Sequence, residues 1–206
     1  MALIRAPQTP AAATRRSLLV ATAGLLLANS TGALALPTAV SRDVIVSNGI
    51  ARFGRCKYKC AIGHGGIRTD KKEGDSATPA GTWPIRFVLY RADRVRLPKL
   101  KFDVREMTPA DGWCDAPSDP MYNRQVKLPY AASAEKLWRD DGLYDVVVVL
   151  GYNDDPVVPG LGSAIFMHVA RPNYGPTLGC IAFAQENLLE ILARATPATR
   201  VVVRKP

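Results

Sequence analysis

Four consecutive valines lie in the run 145–150 (DVVVVL). A strand with one face in water alternates apolar and polar side chains, so an unbroken apolar run predicts a strand that is buried on both faces. Further strands are predicted by segments rich in Val, Ile and aromatic residues, namely 43–47, 83–90, 144–150, 164–168 and 199–204. Sixteen glycines and sixteen prolines favour turns between strands over long helices. We therefore expect a mainly β protein.

Two segments carry helical signals. The segment 133–138 (SAEKLW) begins with a capping residue, and the segment 184–194 (AQENLLEILAR) repeats Leu and Ile at helical spacing. Pro197 ends the second helix before the last strand. Long loops rich in Gly, Pro and Asp are expected to build a site or a lid, and they span 62–82, 107–130 and 151–163.

The first 35 residues predict an export signal. Arg15 and Arg16 lie in a basic region without a single acid, and the apolar run 17–28 is too short to span a bilayer. Residues 33–35 (ALA) supply the small side chains that a signal peptidase requires. The arginine pair also resembles a twin-arginine signal, and an uncleaved membrane anchor is the alternative. Cleavage would leave 36–206 as a single exported domain, without a stable membrane span, in the periplasm or cell wall.

The charge of the exported part predicts an anionic partner. Three of the 27 Lys and Arg residues, and none of the 18 acids, lie in the first 35 residues, so the remaining chain carries a net charge of +6. A basic exported protein encounters the bacterial wall, whose peptides carry free carboxylates. Nucleic acid is the competing partner, but the sequence has no motif for binding it.

Cys180 is the candidate nucleophile. It follows Gly179 and comes just before the helix predicted at 184–194. A helix N-terminus has free N–H groups and a positive dipole end, which lower the pKa of a thiol and can stabilise an oxyanion. Gly179 would let a substrate carbonyl approach the backbone. The alternative is a structural cysteine, because a buried thiol behaves as a small apolar group.

Only two histidines can act as the base for such a nucleophile. His168 closes the strand predicted at 164–168, and a loop of eleven residues, 169–179, leads from it to Cys180. This order places a base at a strand end close to the nucleophile. His64 lies among glycines in a loop (GHGG) and is equally well explained as a surface or substrate-contact residue.

The other three cysteines raise the question of a metal site or a disulfide. Cys56, Cys60 and His64 are spaced by four residues, but the segment 52–60 alternates like a strand or hairpin. Positions four apart on a strand lie roughly 13 Å from each other, which is too far for common zinc ligands. No metal is therefore expected. A Cys56–Cys60 disulfide would need a tight turn to bring the Cα atoms within about 7 Å, and Cys60–Cys114 is an equally open pairing.

Two motifs resemble the L,D-transpeptidase (YkuD-like) catalytic domain family. The segment 162–168 (GSAIFMH) and the segment 176–180 (PTLGC) are similar to the family signature, in which a strand histidine precedes a [Ser/Thr]-x-Gly-Cys loop by about a dozen residues. Upstream, 73–83 (EGDSATPAGTW) resembles the family's G-D-x-x-T-P-x-G-x-[FW] block. Together with matches around Asp115, at 122–123 (YN) and at 151–154 (GYND), the resemblance covers roughly 45–205.

The sequence departs from the family pattern beside the nucleophile. The best-known members read S-H-G-C-x-R, whereas Leu178 stands two residues before Cys180 and Ala182 stands two residues after it. Nucleophile and base are both kept. The departures suggest a divergent branch, and they leave open which stem peptide is bound and whether transpeptidation outpaces hydrolysis.

The resemblance implies a β-sandwich or flattened barrel with short helices, and an acyltransferase that needs no cofactor. In this chemistry His168 takes the proton of Cys180, and the thiolate attacks the carbonyl of a peptidoglycan stem peptide to form a thioester. Backbone N–H groups of Gly179 and Cys180 would hold the oxyanion. Thr177 would orient His168 or a substrate carbonyl, or else stabilise the loop.

The resemblance also implies that loops cover the site. Trp113, Tyr122 and Tyr152 are the expected substrate-binding wall residues from the loops 107–123 and 151–163, and a carbapenem-type inhibitor is expected to acylate the thiol. Two alternatives remain. One is an L,D-carboxypeptidase or other cysteine peptidase that hydrolyses wall peptides with the same residues, and the other is a non-catalytic wall-binding module.

Overall fold

The computed structural model describes residues 42–206, so the export signal predicted at 1–35 lies outside the described residues. The described part contains fourteen strands and one helix. The elements are β1 (Val44–Ser47), β2 (Ile50–Phe53), β3 (Cys56–Ala61), β4 (Ile67–Arg68), β5 (Thr78–Pro79), β6 (Gly81–Tyr90), β7 (Val104–Glu106), β8 (Asp111–Cys114), β9 (Gln125–Lys127), β10 (Ala134–Lys136), β11 (Val146–Leu150), β12 (Phe166–Val169), β13 (Ile181–Phe183), α1 (Gln185–Arg194) and β14 (Arg200–Val203).

Eight strands form a closed, barrel-like sheet in the order β11-β12-β13-β3-β2-β1-β14-β6. The ring closes because the long strand β6 pairs with β14 through its first residues and with β11 through its later residues. Closure leaves no free edge between these strands. Strand β7 pairs with the end of β6, and β10-β8-β9 and β4-β5 form two small separate sheets.

Alternate side chains of the ring strands fill the barrel interior. Val146 and Val148 of β11 point into this core together with buried residues of the other ring strands. The helix α1 adds Leu188, Ile191 and Leu192 to the same core. Its apolar face is the reason that this segment is helical, because these three side chains recur at helical spacing and become buried together.

The other side chains of β11 belong to a second apolar cluster on the outer face of the barrel. Val147 and Val149 pack there with Leu89 of β6 and Phe166 of β12, and Trp113 of the small sheet belongs to the same cluster. The valine run is therefore buried on both faces, as its sequence predicts. Cys180, the candidate nucleophile, lies in this outer cluster.

The mainly β fold expected from the sequence is confirmed, but the helix predicted at 133–138 is wrong. Residues Ala134–Lys136 form strand β10, which pairs with β8. A segment this short cannot offset the cost of starting a helix, whereas pairing with β8 satisfies its backbone groups. Among residues 42–206, no helix is both long and apolar enough to cross a membrane.

Candidate active site

Cys180 immediately precedes strand β13, which pairs in parallel with β12. The register Met167↔Ile181 and His168↔Ala182 places Cys180 beside Phe166. The Phe166 N–H donates to Cys180 Sγ at 3.4 Å, and the thiol donates to the carbonyl oxygen of Ala164 at 3.2 Å. Cys180 is 8% exposed. Two strands therefore fix both the position and the orientation of the thiol.

The environment of Cys180 differs from the one expected at a helix N-terminus. Strand β13 separates the residue from α1, which begins only at Gln185. The helix dipole falls off within the first turn and so gives the thiol little help. Burial, followed by the negative charge of Glu135, raises the pKa of the Cys180 thiol to about 12. The expected lowering of the thiol pKa is thus wrong, and the thiol is protonated at neutral pH.

His168 lies on β12 two residues after Phe166, so its side chain points to the same face of the sheet as Phe166 and the neighbouring Cys180. Its Nδ1 lies 2.8 Å from the carbonyl oxygen of Val169. A carbonyl only accepts hydrogen bonds, so Nδ1 carries the proton and Nε2 is the unprotonated nitrogen of the neutral ring. Burial lowers the pKa of His168 to about 4. The imidazole is therefore neutral at pH 7.

One cavity of about 540 Å³ is lined by both Cys180 and His168. The walls near them carry charged side chains of both signs, namely Glu73, Asp115, Glu135, Arg139 and Arg171. Leu178 lies at the cavity with 84% of its surface exposed. A neutral thiol and a neutral imidazole thus share one polar cavity that has room for part of a peptide.

Gly179 brings the loop before Cys180 close to the backbone of the upstream motif. Its φ is +138°, and a Cβ on this residue would lie 2.9 Å from the carbonyl oxygen of Ala77. In the motif, the carboxylate of Asp75 binds Lys71 Nζ at 2.7 Å and the N–H of Ala77 at 2.9 Å. The two matched sequence motifs therefore meet directly beside Cys180.

Thr177 stabilises this loop. Its hydroxyl donates to the carbonyl oxygen of Cys180 at 2.6 Å and accepts from the N–H of Gly179 at 3.1 Å. The geometry agrees with the loop-stabilising alternative, because Thr177 Oγ1 is bound to backbone groups on both sides. The N–H of Gly179, which the sequence suggested as an oxyanion donor, is bound to Thr177 in this structure.

The three expected wall residues hold the surrounding loops together. Trp113 is buried in the outer cluster and donates to Asn123 Oδ1 at 2.9 Å. The hydroxyl of Tyr122 donates to Glu73 Oε2 at 2.5 Å, and the ring of Tyr152 packs edge-on against Trp83. The cavity beside Cys180 is lined by other residues, among them Asp115 and Ser163 of these loops and Glu135 of β10.

Sequence reasoning missed Tyr144 and Glu135. Tyr144 lines the cavity, and its ring packs edge-on against the His168 ring with the centroids 5.1 Å apart. Its hydroxyl donates to Glu135 Oε1 at 2.6 Å. Tyr144 is adjacent to the valine strand and could have been suspected. Glu135 could not, because the segment around it was interpreted as a helix.

The remaining histidine and cysteines lie apart from the thiol–imidazole pair. His64 is exposed, and its backbone N–H binds the carbonyl oxygen of Thr177 at 2.9 Å. Cys56, Cys60 and Cys114 are free thiols, so neither proposed disulfide is present. Within residues 42–206, no three Cys, His, Asp or Glu side chains are grouped as metal ligands.

The sequence model of the L,D-transpeptidase catalytic domain family, YkuD, matches residues 43–203. The chain belongs to this family. The match includes both sequence motifs, the closed sheet and the pair formed by Cys180 and His168. No curated protein and no solved structure gave a match.

Proposed function

We propose that this L,D-transpeptidase family member is an acyltransferase that joins peptidoglycan stem peptides through a thioester on Cys180. The observation that carries the proposal is the placement of His168 on β12 and of Cys180 immediately before the adjoining parallel strand β13, with both side chains lining one cavity. Family membership supports the cell-wall substrate. The net charge of +6 after residue 35 suits an anionic wall polymer, and residues 1–35 would direct the chain to the periplasm or cell wall.

The first chemical step joins proton transfer to nucleophilic attack. Both groups are neutral at rest, so the Cys180 proton moves to His168 Nε2 as the sulfur attacks the carbonyl carbon of the donor peptide. The carbonyl of Val169 holds the Nδ1–H bond throughout and keeps Nε2 directed away from the strand. The resulting imidazolium then protonates the departing amine, a D-Ala in the family's chemistry, and the acyl group remains on sulfur.

The negative oxygen formed in this step needs hydrogen-bond donors. The backbone N–H of Cys180 is one proposed donor. The N–H of Gly179 is the second, and it becomes available when the Thr177 hydroxyl releases its 3.1 Å bond. Because Gly179 has no side chain, a substrate carbonyl can approach the backbone at this point.

The second step resolves the thioester. An amine of a neighbouring stem peptide attacks the thioester carbonyl, loses a proton to His168 and releases the thiol, which gives a cross-link. Water in place of the amine would give hydrolysis and an L,D-carboxypeptidase. The polar cavity admits either nucleophile, so product analysis must decide between them.

Incubation with purified muropeptides tests the proposal. Intact-mass analysis should show an acyl group on the wild-type protein and none on Cys180→Ser, and an added amine acceptor should increase cross-linked product. Circular dichroism of Cys180→Ser should match the wild type, because the substitution is nearly isosteric. If only hydrolysed product forms and the added acceptor has no effect, the protein is a carboxypeptidase and not a transpeptidase. An unmodified wild-type protein and unchanged muropeptides would contradict both activities and favour a wall-binding module.

A further inference from the structure

The hairpin of β2 and β3 carries basic side chains on its outer face. Residues 44–69 contain five Lys or Arg residues and no Asp or Glu. Along both strands, exposed side chains alternate with less exposed ones that face the core, and the exposed set includes Arg52, Lys57 and Lys59. Arg55 lies in the two-residue turn between the strands and is exposed as well. These four side chains are called the basic hairpin face below.

The strand register places like charges of this face side by side. Arg52 pairs directly with Lys57, and like charges at opposite positions of a sheet destabilise it. Arg68 on β4 and Arg194 on α1 each bind an acid. Among residues 42–206, in contrast, no side chain of the basic hairpin face forms an ion pair. Anions bound from outside would remove this repulsion.

The strands beside the hairpin add no acid to this face. Ile45 of β1 pairs with Arg52, and Val202 of β14 pairs with Ile45. Both side chains are half-buried and uncharged. Glu190 of α1 binds Tyr58, whose buried side chain points to the opposite, inner face of the hairpin. The positive charge of the outer face is therefore not neutralised by the elements packed around it.

The basic hairpin face leads towards the cavity of the candidate active site. Lys59 Nζ lies 4.5 Å from the ring centroid of Tyr174, in the connection between β12 and β13. Four residues beyond Lys59, Gly63 forms a β-bridge with Thr177, which lines the cavity beside Cys180. An extended chain rises about 3.3 Å per residue, so the face ends roughly 13 Å from this part of the cavity wall. A polymer bound along the hairpin would therefore present its neighbouring groups to the cavity.

We propose that the basic hairpin face binds the free carboxylates of peptidoglycan and holds the polymer beside the cavity while one of its stem peptides reacts. The proposal rests on the cell-wall substrate of the proposed function. Exposed ion pairs are individually weak, so one small anion would bind poorly at such a face. A polymer that repeats its carboxylates engages several cations at once, and the weak contacts then act together.

The test measures binding of the protein to purified insoluble peptidoglycan by sedimentation at several salt concentrations. The variant Arg52→Gln/Lys57→Gln/Lys59→Gln removes three charges from the face. Each exposed ion pair contributes a factor of roughly two, so we expect about tenfold weaker binding at low salt. The difference should shrink at high salt, because salt screens exposed charges. Amidation of the peptidoglycan carboxylates should weaken binding of the wild type to the level of this variant.

The matched control is Arg96→Gln/Lys99→Gln/Lys101→Gln, which removes the same charge from exposed side chains between β6 and β7. Because charges beyond the screening length act weakly, it should bind within about twofold of the wild type. Thermal melting should show the hairpin variant to be no less stable than the wild type, since it loses the repulsion between Arg52 and Lys57. If it does not fold, Lys57→Gln/Lys59→Gln should still bind about fourfold more weakly.

Equal losses in the two triple variants would show that net charge alone holds the polymer, and would overturn the proposal. Wild-type binding that survives amidation would overturn it too. Tighter binding to phosphatidylglycerol vesicles or to duplex DNA, lost in the hairpin variant, would assign the face to another partner. Sedimentation needs no catalysis, so these outcomes are independent of whether muropeptides acylate Cys180.

Discussion

The thiol of Cys180 donates to the carbonyl oxygen of Ala164 at 3.2 Å, and Ala164 has a φ of +52°. A left-handed conformation costs a residue with a Cβ roughly 1–2 kcal/mol, so the surrounding structure must hold it. Asn123 does so, because its Oδ1 accepts from the Ala164 N–H at 3.1 Å. The loop that contains Asn123 therefore helps to hold the carbonyl group that the Cys180 thiol binds at rest.

The first prediction concerns the base. His168→Ala should lower the rate of acylation by muropeptides by roughly 10²-fold or more, the usual scale for a lost general base. His64→Ala should have a much smaller effect, because His64 is exposed and contacts the catalytic loop through its backbone. Single-turnover acylation followed by intact mass measures both. The opposite ranking would assign the catalytic role to His64.

The second prediction concerns stability in acid. Burial lowers the pKa of His168 from an ordinary 6.5 to about 4, so the unfolded chain binds a proton at a higher pH than the folded chain. The contribution of neutral His168 to the free energy of unfolding is therefore fully present above pH 6.5, and it is lost as the pH falls from 6.5 to about 4.

Urea unfolding at several pH values measures this loss. The free energy of unfolding of His168→Asn, whose Nδ2 can still donate to Val169, should depend less steeply on pH in this window than that of the wild type. His64→Asn is the matched control and should keep the wild-type slope. Equal slopes in all three proteins would show that His168 is not buried in its neutral form.

The third prediction concerns the approach of the two motifs. In Gly179→Ala, the new methyl group would lie 2.9 Å from the Ala77 carbonyl oxygen at a φ of +138°. We expect the free energy of unfolding to fall by roughly 2–4 kcal/mol through backbone strain and this close contact. Gly160→Ala has a φ of +82° but no heavy atom within 4 Å of the new methyl, so it isolates the strain. If Gly179→Ala and Gly160→Ala lose the same free energy of unfolding, the contact with Ala77 is not a cause of the loss.

The fourth prediction concerns lactams and follows from the thioester step. A thiol that attacks an amide carbonyl should also open a strained lactam, and the small side chain of a carbapenem suits a cavity enclosed by loops. We expect one covalent adduct per chain on Cys180 and none in Cys180→Ser. Peptide mass spectrometry locates the adduct. Modification of Cys56, Cys60 or Cys114 instead would identify a different reactive thiol.

The fifth prediction concerns Leu178. Because 84% of its surface is exposed, Leu178→Ala should change the free energy of unfolding by no more than about 0.5 kcal/mol. Its position at the cavity predicts a higher KM for muropeptides with kcat less affected. Ile50→Ala, on β2 and 40% exposed, is the control for losing an exposed apolar side chain. An unchanged KM in Leu178→Ala would show that the residue does not contact the substrate.

Local patterns were sufficient to predict much of the fold. The valine strand, the helix α1 and the hairpin of β2 and β3 carry their own periodicity, and the structure contains all three. The segment 133–138 has a helical pattern as well, but its partner β8 lies about twenty residues upstream in the sequence. Pairing at that separation leaves no local signal, so tertiary contacts overrode the local preference.

The candidate site was predictable where chemistry restricted the choice. Two histidines and one Gly-Cys segment left few combinations, and the structure places Cys180 and His168 at one cavity. Their protonation was not predictable, because it depends on burial and, for the thiol, also on Glu135. The support of His168 by a backbone carbonyl also escaped detection, since every residue except proline carries the same backbone groups.

Strands β12 and β13 pair in parallel, so residues that are about fourteen positions apart in the sequence lie side by side in space. The register from Met167↔Ile181 to Val169↔Phe183 holds the histidine strand and the cysteine strand together, while residues 171–173 and Pro176 of the connection between them are exposed. Residues in this connection can be added or removed without shifting the register of the two strands. We therefore expect the side chains of His168 and Cys180 to stay aligned when the number of residues between them changes.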